Sequence, residues 1–140
     1  MLRGNFHTHT IFCDGRNTAQ EMAERAVEIG FTHLGFSGHM DSEIRMELKE
    51  YNKEISRLQK TFRGRLDILR GAELDVLFQP RDEEEAGLLE QMEYLIGSVH
   101  YVQGADGSFF AVDDTAERLT EGCREHFGGD YYRLARAYYD

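Results

Sequence analysis

The stretch Asn5-Phe6-His7-Thr8-His9-Thr10-Ile11-Phe12-Cys13-Asp14-Gly15 decides how the rest of the chain is read. Side chains alternate along an extended chain, so His7 and His9, separated by one Thr, aim at the same side. Thr8, Thr10 and Ile11 are β-branched and favour extended backbone, while Asp14-Gly15 is a turn signal that ends the strand and presents a carboxylate beside the two rings. Two neutral imidazoles converging on one point are the beginning of a metal site. The stretch therefore predicts a first strand to whose end later segments bring further ligands.

Those later segments alternate between helix and strand. Thr18 followed three residues later by Glu21 is a capping-box pattern, and Met22, Ala23, Ala26, Val27 and Ile29 recur at helical spacing up to a stop at Gly30. Phe31 to Ser37 reads as a second strand closing at Gly38-His39. Ile44, Leu48, Tyr51, Ile55, Leu58 and Phe62 form one apolar stripe, which predicts an amphipathic helix over 44–62, ended by Gly64. A third strand over 66–75 carries Glu73 near its end, and Asp82-Glu83-Glu84-Glu85 opens a helix through Gln91 with acids where the helix dipole favours them. A fourth strand over 94–101 closes at His100.

Beyond it, 104–107 predicts a turn, 109–112 a short strand, Asp114-Thr115 the start of a brief helix, and 131–139 a terminal aromatic helix. His33 falls inside the second strand and is read as structural, His126 as exposed in a loop before the last helix, and Asp106 and Asp130 as turn formers. No linker, repeat or low-complexity tract divides the chain, so one domain over 1–140 is expected.

Composition narrows the partners. A formal charge of −10 without a basic stripe disfavours nucleic acid, whose phosphates are bound by clustered Lys and Arg. It also repels a small anionic substrate unless bound divalent cations supply positive charge. Cys13 and Cys123 lack metal-clip spacing and read as reduced thiols of a cytoplasmic protein, Cys13 as a buried structural thiol beside the site. Met1-Leu2-Arg3-Gly4 opens no apolar run long enough for a signal peptide or membrane span.

In alternating β/α folds functional groups gather at the carboxyl ends of parallel strands. Here those ends carry His7 and His9, then His39, then Glu73, then His100, with Asp14 added by a short loop. Imidazole with carboxylate suits Zn, Mn or Fe, and the lack of a Cys cluster argues against a structural zinc site.

The ordered set His7-Thr8-His9 with Asp14-Gly15, Gly35-Phe36-Ser37-Gly38-His39, Gly71-Ala72-Glu73 and Gly97-Ser98-Val99-His100 resembles the PHP (polymerase and histidinol phosphatase) superfamily, in particular its histidinol-phosphatase branch. The resemblance implies a distorted (β/α)7 barrel holding up to three divalent ions. Carried over, His7 and His9 bind the first ion, Glu73 bridges it to the second, His100 binds the second, and Asp14 and His39 bind the third. It implies hydrolysis of a small phosphorylated substrate, L-histidinol phosphate, in histidine biosynthesis. Metal ions that neutralise the phosphate and generate a hydroxide from bound water fit such chemistry.

Two features depart from the family pattern. Its second motif commonly reads Ser-Asp-His, whereas Gly38 stands here in place of the acid, and its last motifs, a Gly-His and an Asp-x-His, have no counterpart. The expected architecture is thus a truncated partial barrel with an open sheet edge, which favours a homo-oligomer whose subunits pair or exchange elements. Two other functions fit the same residues: a PHP phosphoesterase acting on nucleotides, and a non-catalytic metal-binding or oligomerisation fragment.

Overall fold

The computed structural model describes residues 3–140; Met1 and Leu2, with which the leader-free reading of the amino terminus begins, lie outside the described residues. The chain forms two compact units, one ending at Ser98 and the other running Val99–Asp140.

In the first unit strand and helix alternate as the hydrophobic periodicities require. After β1 (Gly4–Asn5) comes α1 (Ala19–Glu28), whose capping box forms as predicted: Thr18 accepts from the Glu21 N–H while the Glu21 side chain accepts from the Thr18 N–H. Next are β2 (His33–Phe36) and β3 (His39–Met40), then α2 (Leu48–Thr61), β4 (Asp67–Asp75), α3 (Glu83–Leu89) capped by Asp82, and β5 (Tyr94–Ser98). All the strand pairs of this unit are parallel.

The register corrects the expected second strand. β2 pairs with β4 from His33↔Asp67 to Phe36↔Arg70, and β3 resumes at His39↔Glu73 in the same register. One strand is thus interrupted at Ser37-Gly38, and His39 does not follow a strand end but sits beside Glu73. On its other edge β4 pairs with β5, Glu73 facing Ile96. The strands therefore follow one another in chain order, as in an arc of a β/α barrel rather than a doubly wound sheet. Among the described residues the arc is not closed.

Helix α2 starts at Leu48, four residues later than the apolar stripe suggests. Ile44 is excluded because Asp41 Oδ1 accepts from the Glu43 and Ile44 N–H groups at 2.7 and 2.6 Å, an Asx turn that diverts the chain. The remaining stripe, Leu48, Tyr51, Ile55 and Leu58, is wholly buried with Leu34, Phe36, Ile68 and Ala72. Each such aliphatic burial contributes about 1.5–3 kcal/mol. Alternation along β4 then sends Gly71, Glu73 and Asp75 to the opposite face of the sheet.

The second unit holds an antiparallel pair, β6 (Tyr101–Gln103) and β7 (Phe109–Ala111), followed by α4 (Ala116–Phe127) and α5 (Tyr131–Tyr139). Three expectations change here. His100 lies between β5 and β6 instead of ending one strand over 94–101, because pairing with β7 takes Tyr101 into a separate hairpin. The brief helix is twelve residues long, since Thr115 caps it and it packs onto β7. His126 is therefore in α4, not in a loop, and its ring stacks on Phe110 at 5.2 Å, largely buried. Asp130 does form a turn, as the cap of α5, accepting from the Tyr132 and Arg133 N–H groups.

Candidate metal centre

The His7-Thr8-His9 arm is held by bonds other than a regular ladder. β1 stops at Asn5, because Thr8 Oγ1 donates to the Gly35 carbonyl at 2.6 Å and the Thr8 carbonyl accepts from the Ser37 N–H at 2.9 Å. The Tyr94 hydroxyl donates to the Phe6 carbonyl at 2.7 Å, just ahead of His7, and Tyr94 packs over Gly35 and Gly71, where a Cβ would come within 2.3 Å of it. After His9 the chain turns, the N–H groups of Cys13 and Gly15 both donating to the Thr10 carbonyl at 3.0 Å. A Cβ on Gly15 would stand 2.5 Å from the His9 carbonyl, so glycine is what lets the turn pass so close beneath the ligand arm.

Three imidazoles converge on one carboxylate oxygen. Glu73 Oε2 lies 3.1 Å from His7 Nε2, 3.1 Å from His9 Nε2 and 3.3 Å from His39 Nδ1. Asp14 faces two of these rings, with Oδ1 2.9 Å from His9 Nδ1 and Oδ2 3.7 Å from His39 Nε2. Glu73 is only 4% exposed, so its carboxylate faces these rings rather than water. The sequence-derived residues of the first unit, His7, His9, Asp14, His39 and Glu73, thus meet in two overlapping groups: His7 with His9 and Glu73, and His9 with Asp14 and His39. His100 belongs to the second unit, where it is buried with Nε2 3.6 Å from Asp113 Oδ2.

The donor set fits divalent cations. Two ligand atoms each about 2.1 Å from an ion stand roughly 3.0–3.4 Å apart at tetrahedral or octahedral angles. The three distances to Glu73 Oε2 fall in that range. His9 Nε2 is buried and makes no aligned hydrogen bond although Glu73 is in reach, as two atoms aimed at a common third point do. Asp14 meanwhile holds the other nitrogen of the same ring, the carboxylate-histidine arrangement that orients a ligand.

Burial pushes the Asp14 carboxyl up, but hydrogen bonds from Cys13 and His9 outweigh it and hold the group below the usual carboxylate range. Burial pushes the Cys13 thiol up, which favours the neutral structural thiol expected from the sequence.

Three residues at the site carry no motif. Asp41 is 4% exposed, with Oδ2 3.7 Å from His39 Nδ1. Tyr94 holds the ligand arm, and burial pushes its hydroxyl up to about 12, so it remains a donor. Tyr51 donates to the Phe36 and Gly71 carbonyls at 2.9 and 2.8 Å across the break between β2 and β3. Only Asp41 had a readable signal, an acid two residues past a candidate ligand; the tyrosines read as strand and helix-stripe positions.

A parallel α/β arc that gathers imidazoles and carboxylates on one face carries the donor set that divalent cations take. The chain belongs to the PHP domain family, which it matches over residues 5–137. It is 37% identical to a probable histidinol-phosphatase of Deinococcus radiodurans over 91% of this chain and 52% of that protein. It is 31% identical to the histidinol-phosphatase of Bacillus subtilis over 95% of this chain and 58% of that protein. The chain thus spans a little over half the length of these relatives.

Among solved structures, a Listeria monocytogenes protein assigned as a histidinol phosphatase superposes with a TM-score of 0.80 at 26% identity, covering 96% of this chain and 58% of that one. The histidinol phosphate phosphatase of Lactococcus lactis, solved with zinc, L-histidinol and phosphate, superposes with a TM-score of 0.64 at 21% identity over 85% of this chain and 49% of that one.

Proposed function

We propose that the chain is the amino-terminal part of a metal-dependent phosphomonoesterase of the histidinol-phosphatase type, with L-histidinol phosphate as substrate. The observation that carries this reading is the convergence of His7, His9 and His39 on Glu73 Oε2. The two curated relatives named histidinol-phosphatase support the substrate. Both units together then make one PHP domain.

His7, His9 and Glu73 would hold one ion and Asp14 with His39 another; the family pattern would give His100 a ligand role as well. Zn, Mn or Fe bound there would supply positive charge for the phosphate oxygens and an activated water. The chain's own residues orient the donors. Asp14 fixes the His9 ring by Nδ1 and so presents Nε2, while Tyr94 and Thr8 hold the arm against β2. Asp14 and Glu73 would offset part of the charge of the bound ions.

A second copy is the occupant proposed for the open arc. Leu95 on β5 and Val76 after β4 are exposed apolar side chains, 53% and 62%, and among the described residues β5 is paired only with β4. Light scattering of the purified chain checks this; a monomer across the micromolar range overturns it. Among the described residues no helix is long and apolar enough to cross a membrane. A cytoplasmic location remains part of the proposal, in keeping with two unpaired thiols.

The test is phosphate release from L-histidinol phosphate by the 140-residue chain with Mn²⁺ or Zn²⁺, beside an elemental count of bound metal. Turnover abolished by chelator supports the proposal. Metal retention without turnover points to a metal-binding fragment, and no retained metal overturns the metal reading. A nucleotide substrate is the second reading, favoured by 28% identity to the DNA polymerase/3′-5′ exonuclease PolX of Bacillus subtilis over 71% of this chain. Faster release from nucleoside monophosphates than from histidinol phosphate would select it.

A further inference from the structure

We propose that Arg45 is a positioning residue of the metal centre: its guanidinium clamps the hairpin that begins at His39 to the segment that leaves β4 after Glu73. The proposal rests on the metal-centre reading above. The hairpin itself is tightly closed. Met40 pairs with Arg45 in an antiparallel bridge, the Met46 N–H donates to the His39 carbonyl at 3.2 Å, and the Asp41 N–H donates to the Ile44 carbonyl at 2.9 Å. The His39 backbone therefore moves with residues 40–46 as one body.

Its attachment to the sheet is short. β3 is two residues long and meets β4 through His39↔Glu73 and Met40↔Leu74, directly after the interruption at Ser37-Gly38. Met40 and Met46 are fully buried and hold the hairpin down, but apolar burial is non-directional and does not set its lateral position. Arg45 adds contacts that have direction. Its Nε–H donates to the Asp41 carbonyl at 2.9 Å within the hairpin, while Nη1 donates to the Gln79 carbonyl at 3.3 Å and to Glu85 Oε2 at 3.2 Å outside it. The guanidinium also lies 4.7 Å over the Phe78 ring.

The receiving side is fixed as well. Glu85 is buried, its Oε2 also accepts from the Arg81 N–H, and its Oε1 accepts from the Arg81 Nε–H at 3.1 Å. The Leu77 N–H donates to Asp75 Oδ1 at 2.8 Å and the Phe78 N–H to the Asp75 carbonyl at 2.9 Å, which anchors this segment at the end of β4. A clamp between two such bodies sets the separation of His39 from Glu73, two residues before Asp75. Only 23% of the Arg45 side chain is exposed, so its contacts escape the screening that weakens surface pairs. The planar fork serves three acceptors and a ring at once; a lysine ammonium is a point charge that cannot reach both sides.

The experiment compares the unmodified chain with Arg45→Lys. Phe78→Leu, which removes the ring beneath the guanidinium and keeps its hydrogen bonds, replaces it should the lysine variant fail to fold. In the metal-free protein the Asp41 and Met46 amides should exchange with solvent about tenfold faster in the variant, while amides of the β2–β4 ladder stay within about twofold. With Co²⁺ as the probe, affinity should weaken by about 3- to 10-fold and the visible ligand-field band should shift, a change of coordination geometry that lost stability alone does not produce. Unchanged exchange at Asp41 and Met46 overturns the proposal. Faster exchange with an unchanged Co²⁺ isotherm and spectrum overturns it too, because Arg45 is then structural only. A chain that binds no Co²⁺ overturns the metal-centre reading and the positioning role with it, while the exchange rates still show whether the clamp exists, so the two failures are told apart.

Discussion

Tyr51→Phe is the substitution whose cost follows most directly from the structure. The Tyr51 ring is fully buried among the residues of α2, β2 and β4, and phenylalanine keeps that ring. What is lost is one hydroxyl proton shared between the Phe36 carbonyl at 2.9 Å and the Gly71 carbonyl at 2.8 Å. Phe36 is the last β2 residue in the ladder, paired with Arg70, and Gly71 follows Arg70 in β4 before β3 resumes at His39↔Glu73, so the hydroxyl bridges the gap. Leaving a buried carbonyl short of a donor costs about 1–3 kcal/mol, and two sharing one proton put the loss at about 2–3 kcal/mol.

Unfolding entropy near 2.1 cal/mol/K per residue gives roughly 0.3 kcal/mol/K for a chain of this size, so the midpoint should fall by about 7–10 °C. The assay is thermal unfolding followed by circular dichroism in chelator, which removes any stabilisation by bound ions. Because His39 and Glu73 sit just past the gap, Zn²⁺ affinity should fall several-fold in the same variant. A midpoint within about 1 °C of the unmodified chain would refute the bridging role. Burial pushes the Tyr51 hydroxyl far up, so this stability should not vary with pH across the neutral range.

Further outcomes follow from the same geometry. His7→Ala or Glu73→Ala should remove bound metal, measured by elemental analysis after dialysis, while the far-ultraviolet dichroism stays near that of the unmodified chain. Tyr94→Phe removes the 2.7 Å bond to the Phe6 carbonyl but leaves the ring over Gly35 and Gly71, so calorimetric Zn²⁺ affinity should weaken about 3- to 10-fold, the effect of about 1 kcal/mol.

Burial pushes the Glu85 carboxyl up, but Arg81 and Arg45 outweigh it and hold the group below its ordinary value. Its contribution to stability is therefore present above the unfolded-state carboxylate pKa and lost as pH falls through the lower folded value. Glu85→Gln should flatten the acid limb of a urea stability profile between about pH 5 and pH 3; an unchanged slope would count against the pair. Metal binding requires deprotonated ligands and so releases protons, and Zn²⁺ affinity should therefore fall on acidification, followed by competition with a chromophoric chelator.

Much of this protein is determined by its sequence alone. The capping box at Thr18 and Glu21, the apolar stripe from Leu48 to Leu58, and the acids opening α3 are local patterns, formed by residues within a turn or two of one another. Those patterns are enough for the alternating α/β order. The order of His7, His9, Asp14, His39 and Glu73 along the chain was likewise legible, because each follows or ends a β-branched or apolar run.

What only the tertiary structure decided depends on register between distant segments. That β2 and β3 are one interrupted strand, placing His39 level with Glu73, follows from pairing with β4 more than thirty residues away. His126 looked like loop because its neighbours are polar and followed by two glycines, yet packing on Phe110 draws it into α4. Tyr51 and Tyr94 act through carbonyls that are their neighbours only in the folded chain. Periodicity reports which face a residue occupies, but convergence on one carboxylate oxygen is set by strand register, and register is fixed by burial across the whole sheet.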